Sequence, residues 1–164
     1  MSGRTFLEGE MSAIENALEV LQARVDQAGE PTDWFEMTQE RINTFADATL
    51  DHQWIHVDPE RAKAGPFGAP IAHGQLTMSL MSFLPGGEVG LPVLEGMKMG
   101  VNYGWNRVRF MNPVPVGARI RTVSKLKSVE QKGEQLECVN ELTVEIEGQD
   151  KPACVADSVL RIVF

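Results

Sequence analysis

The chain has 164 residues, and its hydrophobic content of 43% and charged content of 23% are those of one ordinary globular domain. A formal net charge of −8 argues against nucleic acids and anionic membranes as partners, because both require a basic face. No apolar run approaches the roughly 20 residues that span a bilayer. Residues 1–8 also lack the apolar core of a signal peptide, so the sequence predicts a cytoplasmic protein.

Residues 1–31 are predicted to form an N-terminal segment, and residues 32–164 the main domain. Four apolar residues between Ile14 and Val25 recur at steps of four, three and four, which is the spacing of one helical stripe. Pro31 ends this pattern. The segment is either an accessory helix packed outside the main domain or a partly ordered arm, and the sequence leaves both open.

After the N-terminal segment, a short strand and a helix are predicted to lead into a loop. A short strand at 34–37 precedes a helix that Thr38 caps and that ends near Leu50. Prolines and glycines then make residues 57–72 irregular. Loops held by a rigid scaffold often carry catalytic groups, so this region is the first place to look for a site.

One helix and four strands complete the predicted fold. Residues 74–84 are apolar around most of the helical circumference, which is typical of a helix buried on nearly all sides. Period-two alternation predicts strands at 102–110, 117–127, 135–147 and 153–164, joined by short glycine-containing turns. The predicted class is α+β, a single hot-dog domain in which a long antiparallel sheet wraps around a buried central helix.

The three histidines of the chain lie together in the loop region and at the start of the apolar helix. His52 and His56 follow Asp51 closely, and His73 precedes Gly74. Histidine titrates nearest neutrality and is therefore the usual proton-transfer group. An Asp and a His five residues apart in a loop can converge on one water, take its proton and return a proton to a neighbouring carbon. The structural alternative is a capping Asp beside a satisfied, buried His.

Two other kinds of site fit the sequence less well. His52 and His56 are four residues apart, as zinc ligands on a helix can be, but no Glu follows His52, and Trp54 with Pro59 shortly after it disfavours a helix there. Ser79 and Ser82 lie inside the apolar helix without a Gly-x-Ser-x-Gly elbow, so a nucleophilic triad is not expected. No metal is predicted.

Gly74 is predicted to begin the apolar helix, where backbone N–H groups are free to bind an oxygen. The first N–H groups of a helix lack intrahelical partners and lie at the positive end of its dipole. A residue without a side chain allows a thioester oxygen to approach such an N–H, as in an oxyanion hole. The alternative is that Gly74 only allows close packing of helix on sheet.

A motif in this region resembles that of the MaoC-like dehydratase family, also called the hydratase 2 family. Its residues are Phe45, Asp51, Ile55-His56-Val57-Asp58, Ala62, Phe67-Gly68 and Ile71-Ala72-His73-Gly74. The string Asp-His-Gln-Trp-Ile-His and the stretch 102–110 are most similar to its NodN-like branch. The resemblance covers roughly residues 33–163.

The resemblance implies (R)-specific hydration of trans-2-enoyl thioesters of coenzyme A, or the reverse dehydration, in a homodimer that joins two sheets edge to edge. Asp51 and His56 would hold and activate the water, and the Gly74 N–H would bind the thioester oxygen. The other residues expected at the substrate are His73, Trp54, Phe67 and Met78. No cofactor is expected beyond the coenzyme A of the substrate. A hot-dog thioesterase and a non-catalytic acyl-thioester binding protein are the alternatives.

Two features of the sequence bear on how well this function would work. The family usually has Gly before the catalytic Asp, where this chain has Leu50; at positive φ a Leu costs roughly 1–2 kcal/mol. An acidic chain also needs a local basic patch for the phosphates of coenzyme A. The outward cations that strand alternation predicts are Arg107, Arg109, Arg119, Arg121, Lys125 and Lys127.

Overall fold

The computed structural model describes residues 11–87 and 91–164. The helices are α1 (Ala13–Gln22), α2 (Gln39–Thr49), α3 (Trp54–Val57), α4 (Pro59–Lys63) and α5 (Gly74–Leu80). The strands are β1 (Phe35–Glu36), β2 (Met99–Phe110), β3 (Arg119–Lys132), β4 (Gln135–Ile146) and β5 (Cys154–Val163). Within the described ranges, none of the helices combines the length and the apolar character needed to cross a membrane.

The strands form one antiparallel sheet in the order β1-β3-β4-β5-β2. β4 shows why the predicted alternation works, because every second residue from Leu136 to Ile146 is buried. The residues between them face outward, where Glu145 pairs with Arg121 and Glu137 pairs with Arg161. The predicted α+β hot-dog fold is confirmed, with one polar and one buried face of the sheet.

The central helix starts where the sequence predicts but is shorter and less enclosed. α5 ends at Leu80 and passes into a turn before Pro85, which cannot continue a helix. Leu76 packs into the main core, whereas Gln75 and Phe83 are exposed. Burial on nearly all sides is therefore wrong for a single chain, because the curled sheet covers the helix from one side.

The N-terminal helix packs on the sheet. Ser12 and Glu15 form a capping box at its start. Its buried Ala17 and Leu21 join a second apolar cluster, whose members from the sheet and its connections are Leu94, Leu126, Val129, Leu136, Cys138 and Ile162. Of the two alternatives left by the sequence, residues 13–22 form the packed helix. Residues 1–10, including the stretch used to exclude a signal peptide, lie outside the described residues.

The β3 side of the sheet is covered by another segment of the chain, whereas the β2 side carries exposed apolar side chains. The outer edge of β3 is covered by residues 26–36, which donate N–H groups to the carbonyls of Leu126, Ser124 and Thr122 and add β1. β5 lies between β4 and β2, so β2 forms the opposite edge. Its large apolar side chains at Met99, Val101, Tyr103 and Phe110 are exposed.

Candidate active site

The site begins where α2 ends. Leu50 adopts the left-handed conformation, with φ 65° and ψ 14°, and thereby turns the chain out of the helix. Asp51 follows with an exposed side chain, and the Gln53 N–H donates to its Oδ1 over 3.4 Å. The positive φ is the conformation for which Gly is the usual residue, so Leu50 carries a backbone strain of about 1 kcal/mol.

Two short helices replace the irregular segment that the sequence predicts. α3 carries His56, although Trp54 and Pro59 were expected to disfavour a helix here. α4 forms because the Asp58 side chain accepts the Arg61 N–H and Pro59 occupies the first helical turn, where it is tolerated. The predicted loop over 57–72 is therefore wrong for 59–63.

His56 is held in one orientation. Its side chain is buried, with 6% of the residue exposed, and its Nδ1–H donates to the carbonyl of Ile71 over 2.7 Å. The Gln39 amide also donates to the backbone carbonyl of His56 over 2.8 Å. Burial lowers the pKa of His56 below its usual 6.5; the Ile71 carbonyl opposes this shift, and the nearby His73 adds to it. His56 is thus a neutral imidazole whose Nε2 can accept a proton.

His73 connects His56 to the backbone of Asp51. It is 1% exposed, and its ring stacks on that of His56 with 3.8 Å between centroids and 25° between planes. Its Nε2–H donates to the backbone carbonyl of Asp51 over 2.9 Å. Phe45 covers the ring from another side, at 5.0 Å. His73 therefore fixes both the His56 ring and the backbone that carries Asp51.

The three residues bring one ligating atom each to within 4.8 Å of one another. A cluster of Asp51, His56 and His73 could in principle hold a metal ion. Each histidine, however, already commits one ring nitrogen as an N–H donor to a carbonyl. An exposed carboxylate facing a buried neutral imidazole suits a polarised water. The absence of a metal stays a prediction.

A pocket of about 350 Å³ opens beside His56. Its lining residues are His56, Phe67, Ile71, Ala72, Gly74, Gln75, Thr77, Phe110, Met111, Asn112, Pro113, Val114 and Ala153. Gly74 begins α5 at the pocket wall, and a Cβ added there would lie 3.1 Å from the Phe110 ring. A side chain here would press on the Phe110 ring, and the small size of glycine also leaves the N–H approachable from the pocket.

The remaining predicted residues lie elsewhere in the single chain. Trp54 is half-buried under the Arg61 guanidinium, 4.6 Å from its ring centroid, and is absent from the pocket lining. Met78 packs against the main core. His52 is exposed and its Nε2 bonds Asp47 over 2.8 Å, which raises the pKa of His52. The structure therefore brings Asp51, His56, His73, Gly74 and Phe67 together, but not Trp54 or Met78.

Two structural partners of the site were not among the residues predicted from the sequence. The Ile71 carbonyl that orients His56 is a backbone group, which residue types do not reveal. Phe110 reaches Gly74 only because β2 runs past α5, although strand alternation could have predicted its side of the sheet.

Comparison with known proteins gives consistent results. Residues 20–149 match the family model described as a MaoC like domain. Over 154 residues the chain is 49% identical to the 3-hydroxyacyl-thioester dehydratase Z of Mycobacterium tuberculosis, covering 93% of this chain and 99% of that protein. It is 43% identical over 152 residues to nodulation protein N of Rhizobium leguminosarum bv. viciae, covering 92% and 93%.

A solved structure shares the fold. The (R)-hydratase from A. caviae involved in PHA biosynthesis matches with a TM-score of 0.61, over 83% of this chain and 94% of that one. The sequence identity is 22%, so this likeness concerns the fold alone.

The strain at Leu50 predicts a stabilising substitution. Leu50→Gly should raise the free energy of unfolding by about 0.5–1 kcal/mol, because glycine removes the left-handed penalty and Leu50, 82% exposed, contributes little packing. The control is Ala48→Gly, exposed but inside α2, which should lower it by about 1 kcal/mol. Urea denaturation measures both, and equal losses in the two variants would show that Leu50 is unstrained.

Proposed function

Since the chain belongs to the MaoC-like domain family, we propose that it catalyses the (R)-specific hydration of trans-2-enoyl-CoA to 3-hydroxyacyl-CoA, or the reverse dehydration. The resemblance seen in the sequence, including that to the NodN-like branch, is confirmed. The observation that carries the proposal is the meeting of exposed Asp51 with buried His56, whose pKa is lowered, beside an open pocket. The dehydratase name of the 49%-identical relative supports the same reaction class.

The proposed reaction uses the two side chains on one water. His56 Nε2 and the Asp51 carboxylate both accept hydrogen bonds from the water, which orients its oxygen toward C3 of the substrate. As the oxygen bonds to C3, one proton of the water passes to the pair, and the electrons of the double bond move toward the thioester oxygen. The resulting enolate takes a proton at C2 from the pair, so that one water has been added.

The developing negative charge needs a donor near the thioester oxygen. We assign this role to the Gly74 N–H, since Gly74 and His56 line the same pocket and the N–H is the first of its helix. His73 acts beside it as a positioning residue through its bond to the Asp51 carbonyl and its stacking on His56.

The charge distribution narrows the choice of residues for the phosphates of coenzyme A. Four of the six outward cations face carboxylates across the sheet; the pairs are Arg119–Glu147, Arg121–Glu145, Lys125–Glu141 and Lys127–Asp157. Arg107 and Arg109 have no carboxylate partner among the described residues. Asp157, which is opposite Arg107 in the sheet, is already engaged by Lys127. We therefore place the nucleotide near the edge strand β2.

The same edge supports a homodimer. β2 is twelve residues long and exposes the apolar side chains of Met99, Val101, Tyr103 and Phe110. One side of its backbone pairs with no described strand, and a second copy could pair with it across a two-fold axis. We expect light scattering to give about twice 18.1 kDa or a multiple of it. A fully active monomer would contradict this.

The catalytic pair has a direct test. Asp51→Asn and His56→Asn should each lower turnover by at least about 100-fold while the protein stays folded, because each removes a proton-transfer group. His52→Ala is the matched control and should be mild, since His52 faces Asp47 in solvent. The assay follows loss of the enoyl-thioester absorbance. Near-normal rates in either Asn variant would reject the assignment, and release of free coenzyme A would indicate a thioesterase.

The lowered pKa of His56 predicts how kcat/KM depends on pH. The base must be neutral, and neutral imidazole is lost as the pH falls through the pKa; because burial lowers that pKa below its usual 6.5, the acid limb of kcat/KM should be centred below pH 6.5. His52→Ala should leave this acid limb unchanged. An acid limb centred at or above 6.5, or one that moves in the His52 variant, would show that another group is titrating.

Arg107 and Arg109, which contact no carboxylate among the described residues, give a test by substitution. Arg107→Ala and Arg109→Ala should raise KM about 3- to 10-fold at low ionic strength with little change in kcat, since distant phosphate contacts act equally on ground and transition states. The penalty should shrink as salt is added. Arg119→Ala, whose cation is paired with Glu147, is the control and should leave KM unchanged. An unchanged KM in both β2 variants would place the nucleotide elsewhere.

A further inference from the structure

A second cavity lies at the opposite end of α5 from His56. It has a volume of about 110 Å³ and separates the turn after α5 from the inner face of the sheet. Its lining residues are Ser82, Phe83, Asn102, Asn140, Leu142, Ser158 and Leu160. It shares no lining residue with the pocket at His56. Phe83, which is exposed, stands where the cavity meets solvent.

The wall of this cavity contains a polar pair. Asn140 on β4 and Ser158 on β5 are directly opposite each other in the sheet. Only 3% of Asn140 and 7% of Ser158 is exposed. Residues paired in this way have Cβ atoms about 5 Å apart, so one small polar group can reach both side chains.

Among the described residues, no group donates a hydrogen bond to the amide oxygen of Asn140. Asn140 Oδ1 is buried and accepts no hydrogen bond from any described residue. Buried polar atoms are nearly always satisfied, and an apolar residue at this position would avoid the cost. An amide oxygen accepts a hydrogen bond, and the NH₂ group beside it donates. The complementary ligand group both donates and accepts, as a hydroxyl does.

The distance between the two cavities fits the reach of an acyl chain. Gly74 stands at the proposed thioester site and Ser82 at the second cavity, eight residues later. α5 from Gly74 to Leu80 accounts for about 9 Å of this separation at 1.5 Å per residue, and the turn to Ser82 adds a few ångströms. With carbon–carbon bonds of about 1.5 Å, an extended chain of roughly ten carbons covers it.

Resting on the proposed function, we propose that the cavity at Asn140 and Ser158 binds a hydroxyl group near the far end of a medium-length acyl chain. The hydroxyl donates to Asn140 Oδ1 and accepts from the amide NH₂ or from the Ser158 hydroxyl. The protein would then prefer ω-hydroxylated enoyl thioesters over equally long, unsubstituted ones. Chains too short to enter the cavity would be insensitive to it.

The test compares three substrates: trans-2-decenoyl-CoA, 10-hydroxy-trans-2-decenoyl-CoA and the short crotonyl-CoA. The wild type should favour the hydroxylated over the plain ten-carbon substrate by roughly tenfold in kcat/KM, the scale of one buried hydrogen bond. Asn140→Leu should reverse this preference, and the smaller change Ser158→Ala should reduce it. Activity on crotonyl-CoA should stay near the wild-type value in both variants.

Thr122→Val is the matched control. Thr122 is also fully buried in the sheet with an unpartnered Oγ1, but it lines neither cavity. This variant should keep the wild-type preference. If it loses the preference as Asn140→Leu does, the effect comes from disturbing the sheet and the proposal is wrong.

Binding without turnover separates this inference from the function on which it rests. Asp51→Asn protein should bind the hydroxylated ten-carbon thioester roughly tenfold more tightly than the plain one in equilibrium titrations. Equal dissociation constants, or a preference that survives Asn140→Leu and Ser158→Ala, would overturn the cavity assignment. A binding preference without turnover of any substrate by the wild type would instead overturn the proposed hydration and retain the cavity.

Discussion

The stacked pair of buried imidazoles is the constraint on which the candidate site depends. Each ring uses one N–H to bind a carbonyl in the other part of the site: His56 binds Ile71, two residues before His73, and His73 binds Asp51, five residues before His56. Two hydrogen bonds therefore join the segment 51–56 to the segment 71–73. At 3.8 Å between centroids, the His73 ring adds to the lowering of the His56 pKa, so the arrangement favours a neutral His56. The same contacts that orient the rings keep His56 available as a base.

These two hydrogen bonds explain how an exposed carboxylate can be placed accurately. Asp51 lies in a loop after a strained helix end and has little packing of its own. Its backbone carbonyl is nevertheless tied to His73, which is almost fully buried at the start of α5. α5 is in turn held against the sheet by Leu76 in the main core. These contacts connect Asp51, a loop residue, to the rigid sheet. Catalysis requires such accurate placement of the reacting groups.

The fold could be predicted from the sequence because its signals are local. Alternation located every long strand, although β3 extends beyond its predicted end to Lys132. The failures occurred where tertiary contacts decide. α5 stops at Leu80 because Pro85 follows, and α4 forms because Asp58 and Pro59 together make a good helix start, so counting prolines as helix breakers was misleading there.

The site was predictable in its residue types but less so in its partners. The motif identified the cluster of Asp51, His56 and His73, whereas the roles of Trp54 and Met78 were inferred from chain position, which does not fix the direction of a side chain. The pairing of outward cations with carboxylates was likewise invisible until the strand register was known.

The inner face of the sheet holds two apolar clusters, one under α5 and one under α1. Buried polar residues of the central strands interrupt the inner face between these clusters; they are Thr122, Ser124, Asn140 and Ser158. A continuous apolar face would pack more tightly and leave no orphaned amide oxygen. These buried polar residues therefore lower the stability of the fold. Their presence in the core indicates selection for something other than folding. Thr122 lines neither of the two cavities described above, whereas Asn140 lines the second, and this difference is what assigns that cavity a ligand rather than a structural role.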